Sequence, residues 1–78
     1  MKQIAEVPWS YTLFCDAEGY VLQVLCGGIA MYFLSIRLTV AESANFDSLG
    51  LSYIDDLAKQ IKRRPSLYSG RAVDLDES

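Results

Sequence analysis

Histidine is absent from this chain of 78 residues, and cysteine and proline occur only twice each. Each shortage excludes something. Histidine is the side chain whose charge changes near neutral pH and the commonest metal ligand, so ordinary general-base and zinc chemistry lose their usual agent. Cys15 and Cys26 do not fall at a zinc-ligand spacing either. No metal, cofactor or catalytic set is expected. Positive charge is also short: seven lysines and arginines against ten aspartates and glutamates give a net charge of −3. Neutralising phosphates needs a basic surface, which argues against a nucleic-acid partner. A secretory signal needs an apolar stretch of about 7–15 residues, and the opening residues through Ile4, Glu6 and Pro8 do not supply one. The thiols are accordingly expected to be reduced, in the cytoplasm.

The most informative shortage is local. From Gly19 to Ile36 no charged residue occurs. As one helix, that stretch approaches the ~20 apolar residues that span a bilayer. As two strands, it is a buried hairpin. Several features favour strands. Gly27-Gly28 sits at the centre with Gln23 nearby, and Tyr, Val, Ile and Phe are enriched, as strands prefer. Turn chemistry precedes the stretch and a helix-capping signal follows it, so the local signals agree on a hairpin. A single membrane span is the lesser reading.

What is present then predicts an α+β fold. A three-stranded antiparallel meander is expected over about 9–15, 20–26 and 29–38. Asp16 to Gly19 has the residues of a tight turn: a carboxylate that accepts a local N–H, then a glycine free to take positive φ. Gly27-Gly28 is expected to be the second turn. Thr39-Val40-Ala41-Glu42 fits a capping box, opening a short helix over about 40–48. A longer amphipathic helix is expected over about 52–64, where Ile54, Leu57, Ala58 and Ile61 form one stripe. Ser52 is its candidate N-cap, Asp55 and Asp56 suit its first turn, and Lys59, Lys62, Arg63 and Arg64 complement its C-terminal dipole. Short edge strands are candidates at both termini: the residues before Pro8, and Ala72 to Leu75. The 78 residues read as a single small domain with residues 74–78 a frayed acidic tail.

A two-residue turn at Gly27-Gly28 sets a register. Leu22 then opposes Phe33, Val24 opposes Met31, Gln23 opposes Tyr32, and Val21 opposes Leu34. Alternate residues point to opposite faces, so both faces of this hairpin read as mainly apolar. One amphipathic helix and one short helix can cover one face. The other is expected to be buried intermolecularly, in a homodimer or against an unknown protein partner, since a wet apolar face of several hundred Å² is unusual. The candidate interface residues are Val21, Leu25, Tyr32, Leu34 and Ile36.

The chemistry-bearing residues do not converge. The two thiols have no cationic neighbour in sequence to activate them. Asp55 and Asp56 are adjacent on a helix and diverge by about 100°. Cys26-Gly27-Gly28 lacks the spacing and the following helix of a phosphate loop. Arg37 is the one isolated cation, a candidate ligand contact for an anion. The leading expectation is a non-enzymatic protein-interaction or oligomerisation domain. The alternative is a small-molecule-binding or enzymatic domain, with a pocket between sheet and helix or at a dimer interface.

Overall fold

The computed structural model describes residues 2–27 and 32–73. It is an α+β chain: a four-stranded antiparallel meander followed by two helices. The strands are β1 (Lys2–Val7), β2 (Tyr11–Asp16), β3 (Gly19–Cys26) and β4 (Tyr32–Arg37), adjacent in chain order. Helices α1 (Val40–Leu49) and α2 (Leu51–Arg63) follow, then two 3-10 turns over Pro65–Leu67 and Ser69–Arg71. No described helix is long and apolar enough to cross a membrane.

The N-terminal edge segment forms a full strand, making four strands where the central meander alone predicts three. β1 pairs with β2 through a bulge between Gln3 and Ala5 and ends before Pro8. At the other edge, Ala72 forms a single bridge with Ile36, and the Val73 N–H donates to the Ser35 carbonyl at 2.8 Å. The Gly28 half of the expected glycine turn, the start of the third expected strand at Ile29 and the 74–78 tail lie outside the described residues.

The β3–β4 register differs from the two-residue-turn expectation. Cys26 pairs with Tyr32, Val24 with Leu34, Leu22 with Ile36, and Val21 with Arg37. This is a slip of three positions, and an odd slip turns every β4 side chain to the opposite face. The physical reason is burial. In the observed register Leu34 and Ile36 join Leu13, Leu22, Val24 and Cys26 in one apolar layer. The polar alternates Ser35 and Arg37 fall on the other face, beside Gln23 and Val21.

Helix α2 closes that layer with Ile54, Leu57, Ala58 and Ile61, all buried. It starts at Leu51 with Gly50 as its cap, at φ 73°, where a glycine avoids the clash that a Cβ would meet. Ser52 is therefore inside the helix, and its hydroxyl donates back to the Leu49 carbonyl at 3.0 Å. Helix α1 buries no residue fully. It is anchored at its start by the capping box: the Glu42 N–H donates to Thr39 Oγ1 at 3.1 Å, and the Thr39 N–H to Glu42 Oε1 at 2.9 Å. It is anchored along its length by Phe46, which meets the Tyr20 ring edge-on at 5.0 Å between centroids.

Deleting part of the α2 stripe should be severe. Ile54→Ala, at a fully buried position, is expected to cost about 2–5 kcal/mol. Urea unfolding should show a lower midpoint at an unchanged slope.

Candidate functional site

The helices pack on one face of the sheet, and the register sets three rows on the other. Phe14, Val21 and Arg37 form the row at one end. Thr12, Gln23 and Ser35 form the middle row. Leu25 and Phe33 form the row at the far end. The open face is thus apolar at its far end, polar across its middle and bounded by Arg37 at the other end, rather than apolar throughout.

Arg37 closes the first end with an ion pair. Its guanidinium donates to both carboxylate oxygens of Asp16, at 3.0 and 2.9 Å, and lies 3.6 Å from Glu18. The Glu18 N–H also donates to Asp16, at 2.9 Å. Arg37's hydrogen bonds first, and that backbone N–H second, hold the Asp16 carboxyl down at about 2. Arg37 is therefore engaged by its own chain rather than held ready for an outside anion. Val21 lies beside it, only 1% exposed although no helix covers that face. Its cross-strand neighbours are Phe14 and Arg37, and a long arginine stem can screen apolar surface while its head stays wet.

The structure divides the five candidate interface residues. Leu34 and Ile36 lie in the core beneath α2, and Val21 is buried in the Arg37 row. Leu25 alone of the five stays on the open face, at the far end where a concavity of about 520 Å³ opens; Tyr32 pairs with Cys26 on the α2 side and reaches that concavity only at its rim. Glu6, Trp9, Thr12, Gln23 and Phe33 also line it. It sits on the open face, not between sheet and helix.

Trp9 is the residue that sequence reasoning misplaced. It was expected to begin a strand, but it occupies the third position of a turn closed by the Ser10 N–H donating to the Val7 carbonyl at 3.0 Å. Pro8 fits the second position of a type II turn, and that turn requires positive φ at the third. Trp9 supplies it at φ 63°. For a bulky residue the left-handed conformation costs about 1–2 kcal/mol. Neighbours hold the turn: the Leu25 N–H donates to the Ser10 carbonyl at 2.9 Å, and Lys62 Nζ donates to the Trp9 carbonyl and to Ser10 Oγ, both at 3.3 Å. The indole is left 82% exposed, and Phe33 beside the same concavity is 63% exposed. The Pro-Trp pair after a strand marks a turn, since proline suits its second position, but it does not select the type II geometry that gives Trp9 its positive φ.

The remaining polar groups serve the fold. The Tyr11 hydroxyl donates to Asp55 Oδ1 at 2.6 Å. Burial, then the Asp55 carboxylate, pushes its pKa well up and keeps the proton in place. Asp55 is thus a strand-to-helix tie rather than a helix-dipole residue. Burial raises the Cys26 thiol and Lys62 only partly opposes it, so Cys26 has no thiolate character to use as a nucleophile. Both cysteines are free thiols. Among the described residues no group of three or more cysteine, aspartate or glutamate side chains gathers to hold a metal. Gln60, Arg63, Arg64, Leu67 and Tyr68 line a smaller recess of about 260 Å³ at the end of α2.

No family model, curated protein or solved structure matches this chain.

Two outcomes are expected. The depressed Asp16 pKa means that its ion pair stabilises the fold above the ordinary value of 3.8 and that this contribution is lost as pH falls toward about 2. In Arg37→Met the Asp16 carboxyl, followed by carbon NMR, should titrate closer to 3.8, and the acid loss of stability in that window should shrink. At the turn, Trp9→Asn should relieve strain, because asparagine tolerates left-handed φ. The variant should be as stable as the parent or up to about 1 kcal/mol more stable, read as a Tm rise of about 4–8 °C per kcal/mol.

Proposed function

We propose that this chain is a non-enzymatic protein-interaction module that docks another protein chain on the open face of its sheet, at the Trp9–Phe33 end. The observation that carries this reading is the exposure of two large aromatic side chains, Trp9 and Phe33, around one concavity floored in part by Leu25. Aromatic anchors of this kind dominate the energetics of protein interfaces. The strain at Trp9 supports the same reading: glycine or asparagine would cost the turn less at this φ, yet tryptophan stands there.

A second copy of the chain is the simplest partner and the first to test, since a symmetric dimer needs no further component. The polar middle row and the paired Arg37 confine the contact to one end of the face, so a different, smaller partner segment fits it as well.

A photoreactive phenylalanine analogue in place of Phe33, expressed in the source cell, tests the reading. It should give a discrete adduct on irradiation, while the same analogue in place of exposed Asp56 on α2 should not. An adduct of twice the chain mass identifies a second copy, and sedimentation of the purified chain should then show a dimer that Phe33→Asp dissociates. Any other discrete mass identifies a different protein. No adduct from position 33, or equal adducts from both positions, overturns the proposal.

A further inference from the structure

Resting on that docking site, we infer that the concavity receives a cation: the guanidinium or ammonium of an arginine or lysine side chain from a basic segment of the partner. The concavity carries one ionised side chain among its described lining residues, the carboxylate of Glu6. Trp9 and Phe33 present largely exposed rings around the same space. An aromatic face carries negative quadrupole potential and attracts a cation within about 6 Å of its centroid. Carboxylate and rings therefore act in the same sense on a positive group. Thr12 and Gln23 supply side-chain oxygens that can accept from its N–H donors.

The cation that reaches the Trp9 turn from within the chain does not fill this role. Lys62 approaches the turn from α2 and is held on the Trp9 carbonyl and Ser10 Oγ, and it is not among the residues lining the concavity. Glu6 has only a long contact of 3.4 Å from Gln3 Nε2 and forms no ion pair among the described residues. The chain carries a net charge of −3, which also favours the approach of a basic segment. A second copy brings that same net charge, so a basic segment of a different chain suits the concavity better than a copy does.

Trp9 is the single tryptophan of the chain, so its fluorescence reports on this site alone. The probes are a blocked pentapeptide with a central arginine between glycines and its counterpart carrying citrulline, which keeps the shape and removes the charge. They are titrated into chain kept dilute enough to sediment as a monomer, so the concavity stays open whatever the docking partner proves to be. The arginine peptide should give a saturable change in emission and the citrulline peptide a response at least about fivefold weaker. Glu6→Gln should weaken arginine binding by about fivefold, while Asp56→Asn, the same charge change on exposed α2, should leave it unchanged. Equal response to the two peptides, equal effects of the two substitutions, or no response overturns the inference. A discrete adduct from position 33 together with any of these results leaves the docking site standing and removes only the cation.

Discussion

One amphipathic helix has to serve a sheet with two faces. This constraint organises the rest of the molecule. Among the described residues, the stripe Ile54, Leu57, Ala58 and Ile61 is the helical surface that buries apolar groups against the sheet. Whatever strand residues meet it become the interior, and their alternates become the outside by the period-two geometry of the strand. The β3–β4 register follows from this. Matching Leu34 and Ile36 to Val24 and Leu22 concentrates the branched aliphatics under α2. The two remaining pieces, α1 and the C-terminal turns, bring little apolar surface and are held by polar ties instead.

Glu42 is the centre of those ties. It completes the cap of α1 and also accepts from both terminal nitrogens of Arg71, whose Nη2 in turn donates to the Arg37 carbonyl at 3.0 Å. Burial alone would raise the Glu42 carboxyl, but the Arg71 guanidinium and the Thr39 N–H outweigh it and leave its pKa below the usual range. Arg71 also stacks over the Tyr68 ring at 5.7 Å. A single side chain, that of Arg71, thereby joins the end of β4, the start of α1 and the C-terminal 3-10 turns. At the opposite corner, Tyr11–Asp55 and Lys62 fasten α2 to the start of β2 and to the Trp9 turn.

Much of the architecture was legible in local sequence signals. The Thr39–Glu42 box, the α2 stripe and the Asp16–Gly19 turn each lie within a few residues, and each appears where its chemistry placed it. A local signal misleads where it bears on something long-range. The pair Gly27-Gly28 suggested a two-residue turn, and that choice alone set the wrong face for β4. The clean alternation of Leu34, Ile36 and Leu38 against Ser35 and Arg37 was the better guide, because burial of a whole row outweighs one turn preference. Asp16 and Arg37 are far apart in sequence, so their pairing could not be seen before the register was known. The aromatic concavity was hidden for a related reason: Trp9 reads as a strand former, and only the folded turn turns it outward.

The two edges of the sheet have a consequence for how this chain can behave in crowded solution. A flat, unpaired strand edge invites addition of further strands and, by repetition, fibres. Here β1 is kinked by its bulge and carries Lys2 and Glu6, while β4 has its outer side taken up at Ser35 and Ile36 by the returning chain at Ala72 and Val73. Neither border offers the straight ladder that endless growth requires. The sheet is in effect hemmed, and its sociability is confined to a surface that ends where one partner has been seated.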